Sequence, residues 1–127
     1  SVGDIIASLP NMGAFMSKED NTAVLTDFYE VARDVNKANA TYSSMKYAPR
    51  EEREAYREEH KTELALKTQV QAINNQLVVL KRREQMIREA PEDRMSAEKK
   101  YQELKKIDEQ RSRMMNNVMR IRQKLYG

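Results

Sequence analysis

Few side chains in this sequence could do chemistry, and their spacing limits what they can do. His60 is the only histidine, and it follows Glu58 and Glu59 directly. A metal site carried on helices needs a carboxylate three residues before a histidine, or a second histidine one turn away. Position 57 is Arg57 and there is no second histidine, so His60 is expected to be a solvated surface side chain. No metal and no cofactor are expected. The absence of Cys excludes disulfides, thiolate metal sites and cysteine nucleophiles. Gly3, Gly13 and Gly127 are too scattered to form a phosphate-cradling loop. Glu51, Glu52, Glu58 and Glu59 could supply a carboxylate pair, but they are interspersed with bases, the pattern of a solvated face. No catalytic residue is assigned, and the chain is not expected to be an enzyme.

Charge offers a second kind of chemistry. Residues 111–127 hold five bases and no acid, while residues 51–63 hold six acids against three bases. Arg113, Arg120, Arg122 and Lys124 are the candidates for contact with a polyanion, with Lys81-Arg82-Arg83 as a second basic cluster. Neither run carries the interleaved aromatics that stack on single strands, and no helix-turn-helix or zinc-finger spacing occurs. The net charge of +3 permits weak attraction to nucleic acid without requiring it.

These groups must be positioned by helices. With 3 Gly and 3 Pro in 127 residues, long uninterrupted elements are expected. A mean hydropathy of −0.88 would suit a disordered chain, but the apolar residues recur at helical spacing. Phe28, Val31, Val35, Ala38, Tyr42 and Met45 step by three and four, a heptad seam. Leu66, Val70, Ile73, Leu77, Leu80 and Ile87 form a second seam, broken by Glu84. Leu104, Ile107, Met114, Val118, Ile121 and Leu125 form a third, broken by Arg111. Pro49 and Pro91 stop the first two helices, and Ser96 can cap the third. The expectation is an all-α fold, an antiparallel helical hairpin with a third helix, as a three-helix bundle or coiled coil. Residues 1–21 form a lead-in and residues 22–127 the bundle, with helices at about 22–47, 50–89 (kinked between 60 and 64) and 96–125.

A short link between the second and third helices predicts an antiparallel pair, aligned so that Leu80 meets Leu104, Leu77 meets Ile107 and Val70 meets Met114. That alignment lays residues 51–63 beside or just beyond the basic end at 111–124. It also places Arg111 near Asn74 and Asn75, a polar layer that would fix register. On that basis Arg111→Leu is expected to keep or raise the melting temperature while loosening register. The first helix either closes the groove of its own hairpin or packs on another subunit.

The lead-in, Val2, Ile5, Ile6 and Leu9 before Pro10, with Met12, Phe15 and Met16 beyond it, is expected to be a strap over one end of the bundle or an anchor for a partner. It is interrupted by Asp4 and preceded by no basic region, so it does not have the form of a signal peptide. No stretch approaches the length of a transmembrane helix. The chain begins at Ser1, which suggests a piece of a larger polypeptide.

The order of short motifs carries a resemblance. Thr26-Asp27-Phe28-Tyr29-Glu30 opens a helix, and a charged helix follows at residues 51–60. Leu64-Ala65-Leu66 then enters a long helix containing Ile73-Asn74-Asn75-Gln76-Leu77, followed by a proline turn and Ser96-Ala97-Glu98-Lys99-Lys100. Over roughly residues 5–125 this resembles the helical domains associated with large polyvalent proteins of bacteriophages and other mobile elements. The resemblance implies a non-catalytic structural domain of an internal virion or ejection protein. Such a domain would travel in the virion, enter the host with the genome and contact itself or other virion proteins. It supplies no catalytic residues. The alternatives are a cellular coiled-coil adaptor or scaffold, cytoplasmic in that case, and a weak nucleic-acid-binding helical domain.

Overall fold

In the computed structural model, residues 18–127 are described, with side chains from residue 25 onward, so the lead-in lies almost wholly outside the described residues. Five helices follow one another: α1 (Lys18–Ser44), α2 (Arg50–Glu59), α3 (Lys61–Ala65), α4 (Lys67–Glu89) and α5 (Ala97–Tyr126). The described residues include no strand. The protein is an all-α bundle.

Local chemistry sets each boundary. α1 ends at Ser44, three residues before the expected end. Its last carbonyls are taken up by tight turns, Met45 N–H to Tyr42 O at 3.1 Å and Ala48 N–H to Met45 O at 3.0 Å. Pro49 then restrains Ala48 and starts α2, accepting from Arg53 N–H at 3.1 Å. The expected helix at 50–89 is instead three segments with breaks at His60 and Leu66. At the second break the Glu63 carbonyl accepts both the Leu66 N–H at 3.2 Å and the Asn39 side-chain amide at 3.3 Å. A carbonyl drawn to a neighbouring helix and bonded to the third residue on cannot continue the regular ladder, and the chain bends around α1. After α4, Ala90 is extended, Pro91 begins a turn, and Met95 folds onto the core. Ser96 Oγ accepts from Lys99 N–H at 3.2 Å and caps α5 as its sequence position suggests.

α1 packs against both α4 and α5, so the first helix closes its own hairpin. Its direction follows from the polar contacts. Arg122 pairs with Glu30 and Tyr126 bonds to Asp34, a constant offset along both chains, so α1 and α5 are parallel. α2 and α3 return antiparallel along the second half of α1, with the Tyr56 hydroxyl 3.5 Å from Ala38 O and the Tyr42 and Tyr56 rings stacked at 6.4 Å.

Candidate functional site

The heptad seams meet in one core. Phe28, Val31 and Val35 of α1 are buried with Leu66 at the α3–α4 break, Val70, Ile73, Leu80 and Ile87 of α4, and Leu104, Ile107, Met114, Val118 and Ile121 of α5. Leu77 is half-buried against this cluster. Val35, at 0% exposure, marks its centre.

The alignment of α4 with α5 differs from the expected one. Leu80 shares a groove with Met114 instead of meeting Leu104, and Glu84 pairs with Arg111. The displacement is ten to eleven residues, about three helical turns. Seam residues alternate steps of three and four, so a slide of that size returns apolar positions onto apolar positions. What selects among such slides is the polar pair. Glu84 and Arg111, the two charged interruptions of their seams, face each other.

The polar layer is therefore not the one expected. Asn74 and Asn75 are exposed and do not bond to Arg111. Arg111 donates instead to Glu84 and, at 3.4 Å, to Asp108, while Arg88 holds the other Glu84 oxygen at 2.7 Å. Asp108 is 6% exposed, the only buried polar or charged side chain among the described residues. Burial pushes its carboxyl above the usual carboxylate range, against the opposing pull of the Arg111 charge and with further upward push from Glu84. The sequence signal for this network was present: an acid and a base occupying core positions of two seams expected to pair.

The basic end also docks differently. Arg122 pairs with Asp27 at 3.5 Å and Glu30 at 3.2 Å, both on α1, and lies over the Tyr126 ring. Its guanidinium is thus engaged within the bundle, unlike Arg113, Arg120 and Lys124, the other bases expected to meet a polyanion. The acids that pair with Arg122 come from α1 and not from residues 51–63, although α3 also touches α5. The Tyr126 hydroxyl donates to Asp34, which lowers the Asp34 carboxyl, while burial and Asp34 together push the phenol up to about 12. His60 also departs from expectation. It is half-buried, its ring stacked on Tyr56 at 4.1 Å, with Nδ1 4.0 Å from a Glu63 oxygen.

The remaining bases gather elsewhere. On the flank of α5 turned away from α1, Gln110, Arg113, Asn117, Arg120 and Lys124 step by three and four. On α4, Gln69, Ala72, Gln76, Val79 and Arg83 repeat the same spacing and face them. Between the two stripes lie adjoining clefts of about 520 Å³ and 360 Å³ that share Gln76 and Asn117, so they form one groove. Its floor is made by Ile73, Leu80, Met114 and Ile121, the outer edge of the core. Val79, 55% exposed, adds apolar surface to one wall. Arg83, Arg113, Arg120 and Lys124 form no ion pair within the described residues, and no acid lines the groove. Arg113, Arg120 and Lys124, named from the sequence as candidates for a polyanion, thus stand on one wall with Arg83 opposite, but the groove itself was not legible because such a stripe resembles a solvated face until a second is laid opposite.

Among the described residues no group of three or more His, Asp or Glu side chains could hold a metal ion, and no helix is long and apolar enough to cross a membrane. No family model, curated protein or solved structure matches the chain.

Proposed function

We propose that this chain is a non-catalytic assembly domain of a large bacteriophage virion protein, acting through helix–helix contacts in the particle interior or during genome ejection. The observation that carries the contact mode is the open groove between α4 and α5, walled by two heptad-spaced stripes. Three helices satisfy the core seams, and a further pair of stripes at the same period is the geometry into which another helix packs. The virion assignment rests on the resemblance of the ordered helical motifs to domains of large polyvalent phage proteins.

The test is mass spectrometry of purified particles made by the encoding element, treated with protease before and after heat opening. Peptides from α4 and α5 should be present and protected until the particle is opened. Their absence from particles would remove the virion reading and favour a cellular adaptor.

A further inference from the structure

The groove described above has a definite character, and its occupant can be argued from charge and shape. Its floor is apolar, its α5 wall carries Arg113, Arg120 and Lys124, its α4 wall ends in Arg83, and none of the four is ion-paired, although Arg120 donates to Asn117 at 3.4 Å. We infer that the groove between α4 and α5 binds an acidic amphipathic helix from a different protein. The inference rests on the assembly reading and names its partner's chemistry.

Three considerations support this occupant. First, the α4 stripe from Gln69 to Arg83 spans fourteen residue steps, about 21 Å, which matches a docked helix of about four turns. Second, a helix laid between two heptad walls sets its apolar stripe on the floor and its flanking positions against the walls. In paired helices those flanking positions choose partners by charge, and here every charge on the walls is positive, three on α5 and one on α4. Acidic flanks would meet Arg83 on one side and Arg113, Arg120 and Lys124 on the other. Third, a second copy of the chain is disfavoured. A two-fold contact through this face would set the same patch against itself and bring like charges together. The acidic α2 of another copy is no better suited, because it is short and its Tyr56 is engaged with Tyr42 and His60.

The experiment uses the full chain and a fluorescent peptide of about 18 residues, with Leu at heptad core positions, Glu at the flanking positions and Ala elsewhere. A matched peptide carries Lys in place of Glu. Fluorescence anisotropy should show the Glu peptide binding at least about tenfold more tightly than the Lys peptide. The double variant Arg83→Glu with Arg113→Glu should weaken the Glu peptide by at least about tenfold, and Arg113→Gln should weaken it less. Lys46→Glu, outside the groove, should leave binding unchanged. Unaltered thermal melts would show that the variants remain folded.

Equal binding of the two peptides would overturn the inference, as would Glu-peptide binding indifferent to the Arg83 and Arg113 changes. Duplex DNA binding to this groove more tightly than the Glu peptide, still strong from about 50 to 200 mM salt, would assign the groove to nucleic acid and overturn it too. So would a concentration-dependent dimer abolished by Arg113→Glu. Failure here with the chain present in virions leaves the assembly reading intact. Binding here with the chain absent from virions leaves the groove assignment intact.

Discussion

Arg111→Leu tests the account of what holds α4 against α5. In the parent protein Arg111, 21% exposed at its side chain, is shared between Glu84 and Asp108, which are 16% and 9% exposed. Removing the cation leaves two carboxylates near each other in a largely dry layer. Breaking a fully buried pair in this way costs about 3–5 kcal/mol. Residual solvent access and the neighbouring Arg88 reduce that to about 2 kcal/mol here, equivalent to a fall in melting temperature of about 7 °C for a domain of this size. This reverses the outcome expected when Arg111 was placed beside Asn74 and Asn75, where leucine would simply extend the seam. The effect should depend on pH. The Asp108 carboxyl already lies above its ordinary value, and loss of the Arg111 charge raises it further. A carboxyl raised on folding favours the folded state below its unfolded value, and that contribution is lost as pH rises through the folded one. The variant's deficit should therefore be largest near neutral pH and shrink towards about pH 4, the ordinary carboxylate range. Denaturant melts of Arg111→Leu, Glu84→Leu and the double variant should give a coupling of at least about 1 kcal/mol. Adding Asp108→Asn to the double variant should recover most of the loss. An Arg111→Leu protein as stable as its parent at neutral pH would refute this account.

Other outcomes follow from single contacts. Phe28→Ala should cost about 3–5 kcal/mol in a denaturant melt, because a side chain 1% exposed leaves a cavity under three helices. Tyr126→Phe should cost only about 0.5–1 kcal/mol, since the residue is 46% exposed. Ultraviolet titration of the parent should show one tyrosine ionising near 12, missing in the variant. Its phenol is raised on folding, so the contribution is complete below about pH 10 and lost as pH climbs through about 12; the lowered Asp34 loses its own as pH falls through its folded value. Because the chain has no Cys, Gln76→Cys with Asn117→Cys gives a unique thiol pair across the groove, and a short bis-maleimide should join it in high yield. Efficient joining of residue 76 to residue 108, the pairing of the register first expected, would show the other alignment.

The sequence disclosed most of the core because burial follows the heptad period so closely. Phe28, Val31 and Val35 are buried as their spacing requires, and of the named seam residues only Tyr42, Met45, Leu77 and Leu125 are left half-exposed. Helix ends were legible wherever a proline or a capping serine set them, as at Pro49, Pro91 and Ser96. The register was not, because a seam stepping by three and four brings apolar positions back onto apolar positions at many slides, the one of about three turns among them. The breaks at His60 and Leu66 depend on Asn39 and on a ring stack reached across the fold, which local pattern does not report. Asp108 lay one turn from Arg111 in the sequence, but its burial became visible only when Glu84 was placed opposite.

The same pair that sets the register also sets the chemistry of the groove. With Glu84 against Arg111, the α4 stripe faces Gln110, Arg113, Asn117, Arg120 and Lys124, a wall without an acid. In the alignment three turns away, it would face the earlier part of the same α5 stripe. There Glu103 is bridged to Lys99 at 3.4 Å and Lys106 at 3.3 Å, and those lysines hold its carboxyl below the usual range. That wall is self-neutralised and would offer an acidic helix little. A substitution that freed the register would therefore do more than soften the fold, because it would exchange a cationic groove for a balanced one. Stability and partner choice are coupled through Glu84 and Arg111, and variants of that pair should lose affinity for an acidic helix even though neither side chain lines the groove.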